Sequence, residues 1–389
     1  MANGNGDAGA LRIAAATLSR CGGHALPYRD SAPLTVETLT LADPRPGEVL
    51  VRIDAAGICH SDLSVINGDR ARPMPMVLGH EAAATVIALG SDGTRGERAS
   101  GADDLAPGDR AVLVFLPACG ECVDCRSGQG YLCSSGAAAN GRGELMAGGS
   151  RLSDDSGAMR HHHLGISAFA TYAVVDRRSL VRIDRDIPPE TAALFGCAVL
   201  TGVGAVMNTA AVRPGESVMV FGLGGVGLAA LMGAIASGAQ PVVAIDPSPQ
   251  KRALALELGA AAAFEPGADL GDVRPDVVIE TVGKAAVLAQ AYAAARRGGR
   301  IVTVGLPNPA EMLEINALSL VADGKTLMGS YMGSSIPQRD IPRYIALWRA
   351  GRLPVEKLLT GTGQLEDINA MMDRLADGSA IRQVIVPAW

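Results

Sequence analysis

Aromatic residues are scarce in this chain of 389 residues, because Phe, Trp and Tyr together make up only 3% of it. Hydrophobic residues nevertheless account for 48% of the sequence. The chain can therefore bury large cores, and these must be built mainly from small aliphatic side chains. Its length suits two domains of ordinary size.

The sequence also lacks a block of Lys or Arg, and its formal net charge is −6. Since nucleic acid is held by cationic surfaces, we expect no nucleic-acid partner. The segment MANGNGDAGALRIAAA shows no basic start followed by an apolar core and a cleavage site, so no secretory signal is predicted. We therefore expect a soluble, cytoplasmic protein.

Charged residues are absent between Ser217 and Ile245, a stretch long enough to resemble a membrane span. The stretch contains FGLGGVG and then SGAQP. Glycines and a proline at these places favour a strand, a turn, a helix and a second turn over one spanning helix. We therefore expect no membrane partner.

The pattern of secondary structure changes along the chain. The first half has short β-like runs separated by Gly and Pro, which predicts an irregular, largely antiparallel β domain. From about Pro214, strands and helices alternate, which predicts a parallel sheet covered by helices on both faces. The tail from about Pro337 holds a helix and a final strand, which we expect to return to the first domain. The predicted fold class is α/β.

A glycine-rich loop follows the apolar run SVMVF and opens an apolar helix. Gly222 permits a tight turn, Gly224 lets the backbone approach a pyrophosphate, and Gly227 lets helix and strand pack closely. Asp246, at the end of the next strand, would bind the adenosine ribose and repel a 2′-phosphate, which favours NAD over NADP. The alternative is a structural turn beside a solvated Asp. The predicted cofactor-binding residues of the loop also include Gly225 and Val226.

Four cysteines lie in PACGECVDCRSGQGYLC: Cys119, Cys122, Cys125 and Cys133. In a reducing compartment this spacing predicts four thiolates around one structural Zn²⁺, a closed site without chemistry of its own. Disulfides are disfavoured in the cytoplasm. A nucleic-acid zinc module or an iron–sulfur site would also use clustered cysteines, and the nearby Glu121 and Asp124 disfavour the first of these two.

Three further cysteines are Cys21, Cys59 and Cys197, and LGHEAAA supplies His80. Two thiolates and one imidazole could hold a second zinc whose fourth position is open. Sequence spacing alone does not join residues 59, 80 and 197. Cys59 and Cys197 could instead be small buried hydrophobic residues, which is the default interpretation of Cys21.

The motifs GICHSD, LGHE, CGECVDC, GLGGVG and VGLP occur in an order that resembles the zinc-dependent alcohol dehydrogenases of the medium-chain dehydrogenase/reductase superfamily. The resemblance covers essentially the whole chain after the first ten or so residues. It implies a GroES-like catalytic domain, residues 1–198 and 332–389, that contains both zinc sites. Residues 199–331 would form a Rossmann NAD-binding domain.

The resemblance also assigns site residues. Cys59, His80 and Cys197 would hold the catalytic zinc. Glu81 would lie behind this zinc, Ser61 would begin a proton relay, and His60 would approach the pyrophosphate. Further cofactor contacts would come from Lys251, Val304 and Arg382, and the substrate pocket would be lined by Phe115, His163 and Leu164. His163 belongs to the run His161–His163, which would begin a strand and is not expected to bind metal.

The implied reaction is reversible hydride transfer from a primary alcohol with an apolar or aromatic tail to NAD, in a homodimer. The enzyme alternatives are a polyol or thiol-adduct dehydrogenase and a reductase of double bonds or imines; the non-enzyme alternative is a zinc- and dinucleotide-binding redox scaffold. Two features depart from the family. HSDLSVING has no relay histidine, so Ser64, ribose hydroxyls or water would carry the proton. SSGAAANG lacks the arginine of the glutathione-dependent formaldehyde dehydrogenases.

Overall fold

The computed structural model describes residues 10–90 and 105–388. Up to Cys197 the regular secondary structure of the described chain is mainly β-strand, and one group of strands closes a small barrel in the order β1, β2, β7, β8, β4. The strands are β1 (Leu11–Leu18), β2 (Leu34–Leu41), β3 (Glu48–Ile58), β4 (Met76–Val77), β5 (Glu81–Leu89), β6 (Arg110–Leu113), β7 (Leu152–Ser153), β8 (Met159–His162), β9 (Tyr172–Asp176) and β10 (Leu180–Ile183). The helices are α1 (Tyr28–Ser31), α2 (His60–Asn67), α3 (Val123–Arg126), α4 (Ser134–Arg142) and α5 (Pro189–Leu194).

The middle of the chain alternates helices and strands and forms a parallel six-stranded sheet, as the sequence predicts. Its order is β13-β12-β11-β14-β15-β16, which reverses direction beside β11, the strand that precedes the glycine loop. The strands are β11 (Val218–Phe221), β12 (Val242–Ile245), β13 (Ala262–Phe264), β14 (Val277–Glu280), β15 (Arg300–Thr303) and β16 (Thr326–Gly329). The helices are α6 (Ala198–Gly204), α7 (Gly225–Ala236), α8 (Pro249–Glu257), α9 (Ala285–Ala294) and α10 (Ala317–Ala322).

The tail returns to the first part of the chain. It contains helices α11 (Pro337–Arg349) and α12 (Ile368–Ala376) and strands β17 (Leu359–Gly363) and β18 (Arg382–Ile385). Strand β18 pairs antiparallel with β3, within a seven-stranded sheet that runs β10-β6-β5-β3-β18-β17 and carries β9 on β3. The predicted return of the tail is therefore confirmed.

The uncharged stretch from Ser217 to Ile245 folds as strand β11, the glycine loop, helix α7 and strand β12. Helix α7 is apolar because ten of its twelve residues are buried between the sheet and neighbouring elements. Among the described residues, no helix is both long and apolar enough to cross a membrane.

Strand pairing brings distant residues to one place. Strands β3 and β5 are antiparallel, and their register places Gly57 opposite Glu81. Cys59 and His80 lie just beyond this pair, so they meet at one end of the sheet. The pairing of Gln383 with Ile58 brings Arg382 to the same end. Most of the buried aliphatic side chains around these strands form one continuous core.

Candidate zinc, cofactor and substrate sites

The four clustered cysteines form a compact group, with all four sulfur atoms within 4.8 Å of one another. The backbone N–H groups of Cys122 and Glu121 donate to the Cys119 sulfur at 3.3 and 3.4 Å. Desolvation opposes ionisation, but these N–H groups outweigh it and lower the pKa of Cys119 to about 6. Four thiolates at this spacing fit a tetrahedral zinc ion and leave no open position.

Cys59, His80 and Cys197 form a second group, again with their ligand atoms within 4.8 Å of one another. The Cys197 Sγ lies 3.6 Å from His80 Nε2. Cys59 immediately precedes helix α2, Cys197 immediately precedes helix α6, and all three side chains are buried. Two sulfurs and one imidazole nitrogen would hold a zinc ion with one position left for a non-protein ligand, and His80 also lines a cleft.

Asp62, a residue that the sequence analysis did not single out, orients His80. Its Oδ1 lies 3.0 Å from His80 Nδ1, and its Oδ2 accepts the backbone N–H of Cys59 at 3.0 Å. Burial would raise the pKa of Asp62, but the charge of His80 and hydrogen bonds with His163 and His80 lower it to about 2. The ionised carboxylate therefore holds the His80 ring with Nε2 towards the ligand group. Its position three residues after Cys59, in the first turn of α2, was the available signal.

Glu81 is completely buried, and neither carboxylate oxygen has a hydrogen-bond partner among the described residues. Its nearest cation is Arg382, whose Nη1 lies 3.4 Å from Glu81 Oε2. Burial raises the pKa of Glu81 to about 7, although Arg382 opposes this change. Glu81 thus lies beside Arg382, whereas Asp62 is the carboxylate in contact with His80.

A cleft opens beside the ligand group and is lined by Ser61, His80, Phe115, His163 and Leu164. Ser61 Oγ lies 3.9 Å from Cys59 Sγ. Ser64 lies one turn further along α2 and donates its hydroxyl to the His60 carbonyl at 2.9 Å. A backbone carbonyl oxygen has no proton to pass on. The hydrogen bond of Ser64 therefore does not extend a proton relay from Ser61.

The cleft is also lined by residues that the sequence analysis missed. Arg70 and Arg72 both line it, together with Tyr331 and the apolar Val65 and Leu306. Isolated arginines in a loop give no periodic or spacing signal, so only the fold shows that they face the cleft.

The three consecutive histidines do not converge. His162 accepts the backbone N–H of Arg151 at 3.3 Å, and burial lowers its pKa to about 3. Only His163 joins a group of potential ligands in the described structure, with Asp62 and His80. The run also lies at the end of strand β8 and not at its beginning, because His162 is the last residue of that strand.

The glycine loop has the geometry of a phosphate-binding turn. Gly222 has a φ of +86°, which L side chains rarely adopt. A Cβ on Gly227 would overlap the Gly222 carbonyl oxygen, and a Cβ on Gly225 would overlap the Arg382 side chain. Gly224 is the N-cap of α7, with Val226 in the first turn of that helix. Arg382 Nε is buried and has no partner among the described residues, so a donor is available beside the loop for a pyrophosphate.

Asp246 follows β12 and accepts the backbone N–H of Leu223 at 2.7 Å and of Ser248 at 2.8 Å. Each carboxylate oxygen accepts one of these two hydrogen bonds, so each can still accept another from a ribose hydroxyl. His60 is the first residue of α2. Desolvation is the main cause of the lowered pKa of His60. The positive charges of Arg382 and Lys251 lower this pKa further, whereas Cys59 raises it. His60, Lys251 and Arg382 thus lie near one another. Val304 follows β15, and its backbone N–H donates to the Glu280 carbonyl.

Comparison with known proteins agrees with this geometry. The profile of the alcohol dehydrogenase GroES-like domain matches residues 45–185, and that of the zinc-binding dehydrogenases matches residues 225–349. A geraniol dehydrogenase of Castellaniella defragrans is 37% identical over 91% of this chain and 94% of its own length. An S-(hydroxymethyl)glutathione dehydrogenase of Synechocystis is 34% identical over 93% of this chain and 98% of its own.

The crystal structure of a benzyl alcohol dehydrogenase from Acinetobacter calcoaceticus superposes with a TM-score of 0.87 at 29% identity, covering 97% of this chain and 100% of that one. The chain therefore belongs to the zinc-dependent alcohol dehydrogenases of the medium-chain dehydrogenase/reductase superfamily. Its fold is a GroES-like catalytic domain with a Rossmann-type cofactor domain, as the sequence predicts.

Proposed function

We propose that the protein oxidises a primary alcohol with an apolar body to the aldehyde, reversibly, with NAD as the hydride acceptor. The convergence of Cys59, His80 and Cys197 beside a cleft that Ser61 also lines is the observation that carries this proposal. The relatives named for geraniol and benzyl alcohol support an apolar substrate body.

Two zinc ions per chain fit the two ligand groups: one structural at Cys119, Cys122, Cys125 and Cys133, and one catalytic. The catalytic zinc, when bound, supplies a Lewis acid that lowers the pKa of an alcohol. Ser61 Oγ would accept the proton that the alcohol loses and release its own hydroxyl proton to a cofactor ribose hydroxyl or to water. Asp62 keeps His80 in its ligating orientation, while Phe115 and Leu164 exclude water from the apolar end of the cleft.

NAD is the proposed dinucleotide because Asp246 is ionisable, nearly buried and directed at the glycine loop. A 2′-phosphate beside that carboxylate would meet like charge, whereas two ribose hydroxyls would find acceptors. Arg382 and Lys251 are the proposed partners of the pyrophosphate and the adenosine side of the cofactor, with His60 near the phosphates and Val304 near the nicotinamide end.

We further propose a cytoplasmic homodimer with the domain division given above, residues 1–198 and 332–389 against 199–331. Strand β16 is at the edge of its sheet, and the segment leading to it exposes Met312, Leu318 and Val321 by 80%, 72% and 81%. An apolar surface beside an open strand edge favours association with a second copy. Light scattering on the purified protein measures the mass of the assembly.

A thiol-adduct dehydrogenase is the second candidate, because the Synechocystis relative is named for S-(hydroxymethyl)glutathione. Its support is limited by SSGAAANG, the segment after Cys133 that lacks the arginine expected of that branch.

The test is an NAD-coupled screen of aliphatic, aromatic and polyol alcohols, with formaldehyde plus glutathione as a separate reaction. We expect NAD reduction with apolar primary alcohols. Preference for the glutathione adduct would transfer the proposal to the second candidate, and binding of zinc and NAD without turnover of any substrate would contradict both.

A further inference from the structure

The substrate cleft contains two positive charges that the chemistry of alcohol oxidation does not use. Arg70 and Arg72 line the same cleft as Ser61 and His80. The described lining residues include no Asp or Glu that could neutralise the two guanidinium groups.

Neither arginine is ion-paired within the described part of the chain. Arg70 Nη2 donates to the Leu306 carbonyl at 3.3 Å, and Arg72 Nη1 donates to the Asn140 carbonyl at 3.3 Å. Arg72 Nε is buried and has no hydrogen-bond partner among the described residues. A buried donor without a partner is costly, so this nitrogen indicates a missing acceptor.

Both guanidinium groups line one confined cleft, so one bound group can reach both of them. Desolvation lowers the pKa of Arg70, as does the positive charge of Arg72, whereas Tyr331, Cys59 and Asp69 oppose this change. Two adjacent guanidinium groups in a confined cleft favour a planar anion, because each can donate two parallel hydrogen bonds to a carboxylate.

A row of rings connects these arginines with the zinc ligands. The His80 and Phe115 ring centroids are 5.6 Å apart, and those of Phe115 and Tyr331 are 6.0 Å apart, both edge to face. The reacting oxygen belongs at the His80 end of this row, whereas Tyr331 borders the cleft with Arg70 and Arg72. The same cleft therefore presents an apolar ring surface and two positive charges to one substrate.

We propose that the substrate is an alcohol whose apolar body ends in a carboxylate, and that Arg70 and Arg72 bind this carboxylate where they line the cleft. The proposal rests on the proposed function, since it names the substrate class of the same site. It makes the two arginines determinants of specificity that act on the part of the substrate remote from the reacting carbon.

The test compares a series of ω-hydroxyalkanoates of increasing chain length with the n-alkanols of the same length, under NAD-coupled turnover. At the best length we expect kcat/KM to favour the hydroxyalkanoate by about 10- to 100-fold, the range of charge-assisted hydrogen bonds. Arg70→Gln and Arg72→Gln should each reduce this preference about 10-fold or more, while kcat/KM for the alkanol changes less than about 3-fold. Arg72→Lys should restore part of the preference because it keeps the charge.

The matched control is Arg213→Gln, which removes an exposed arginine that does not line the cleft and should leave the preference unchanged. Three results would overturn the proposal: a preference for the alkanol, a preference that survives both Gln substitutions, or an effect of those substitutions on the KM for NAD alone.

A calorimetric binding experiment distinguishes failure of the proposed function from failure of the carboxylate site. The same compounds are titrated into the protein loaded with zinc and NADH, because NADH in place of NAD prevents alcohol oxidation. Tighter binding of the hydroxyalkanoate that is lost in the Arg70→Gln, Arg72→Gln double variant supports the carboxylate site even without turnover. Equal binding of both compounds overturns the carboxylate site, whether or not alcohols are oxidised.

Discussion

The carboxylate of Asp62 contacts two histidines and the backbone of a third site residue. It lies 3.0 Å from His80 Nδ1 and 3.2 Å from His163 Nδ1, and it accepts the N–H of Cys59. One side chain thus fixes the first turn of helix α2, the orientation of a proposed zinc ligand and one wall of the cleft. Side chains behind the ligands commonly matter nearly as much as the ligands themselves.

Asp62→Asn keeps the size of this side chain and removes its charge. We expect zinc affinity at the catalytic site, or kcat/KM, to fall about 10- to 100-fold, because the His80 ring loses its ionised acceptor. Zinc content and alcohol oxidation measure the effect, and Asp43→Asn, a change at an exposed position, serves as the control. Unchanged zinc content and turnover would show that Asp62 has no positioning function.

Asp246 determines the expected choice of dinucleotide at the same scale. Asp246→Ser removes the charge that repels a 2′-phosphate and one acceptor of the ribose. The ratio of kcat/KM for NAD to that for NADP should fall about 10-fold or more. Steady-state kinetics with both cofactors measure this ratio, and Asp272→Ser, an exposed change between β13 and β14, should leave it unaltered. A wild-type preference for NADP would already refute this assignment.

At the scale of elements, the segment between β6 and β7 that holds the four clustered cysteines, here called the four-cysteine lobe, has little regular secondary structure. Between β6 and β7 the chain forms only short helices, and Val123 in α3 is 83% exposed. The lobe has little apolar core to order it, so we expect a metal to supply the missing constraint. The short 3-10 helix at Gly130–Leu132 also packs near the one at Tyr331–Ser334, which connects the lobe to the cleft.

Cys125→Ala should therefore remove one zinc per chain and lower the Tm by at least about 5 °C, since metal binding and folding of such lobes are coupled. The zinc held by Cys59, His80 and Cys197 should remain. Cys21→Ala, which changes a cysteine outside both groups, should retain both metals. Mass spectrometry of the intact metal-loaded protein and thermal unfolding measure both quantities; an unchanged Tm would argue that the lobe folds without metal.

Asp276 connects the start of strand β11 with the loop after α9. It accepts the Ser217 N–H and hydroxyl at 2.8 and 2.6 Å, and Arg296 Nε at 2.7 Å. The Ser217 hydroxyl is the largest contribution, and together these groups lower the pKa of Asp276 from 3.8 to about 2. Because the folded-state pKa is depressed, the stabilisation is present above pH 3.8 and is lost as the pH falls towards 2.

We thus expect Asp276→Asn to lower the free energy of unfolding by about 1–2 kcal/mol at neutral pH, a value reduced for partial exposure. The difference between wild type and variant should shrink when the pH drops below 3.8. Denaturant titrations at several pH values provide the measurement. A difference independent of pH would mean that the charge of Asp276 is not what stabilises this junction.

For the whole molecule, the predictable parts are those encoded locally. The spacing of Cys119 to Cys133 and the strand–glycine–helix pattern around Gly222 lie within short segments, so their geometry follows from sequence. The middle sheet follows from alternating β and α patterns, which leave few topologies. The closed barrel of β1, β2, β7, β8 and β4 was not predicted, because its two-residue strands at Met76–Val77 and Leu152–Ser153 are too short to give a periodic signal.

The catalytic ligand group and the cleft are not encoded locally, because their residues come from distant parts of the sequence. Cys59, His80 and Cys197 meet only because β3 pairs with β5 and because α6 begins beside them. The family resemblance predicted this meeting, whereas the sequence spacing of the three residues did not. Arg70 and Arg72 carried no pattern at all, and Asp62 carried only its position in the first turn of α2. Polar residues that act alone are found by where the fold places them, which explains why substrate specificity is the least predictable property of this chain.

The central claim is that three residues distant in sequence hold a metal with one position open to the substrate cleft. Diffraction from crystals of the zinc-loaded protein, recorded on both sides of the zinc absorption edge, tests it most directly. We predict two anomalous peaks per chain, one among the four clustered cysteines and one bonded to Cys59 Sγ, His80 Nε2 and Cys197 Sγ, with no fourth protein ligand. The absence of a peak at the second position would contradict the account.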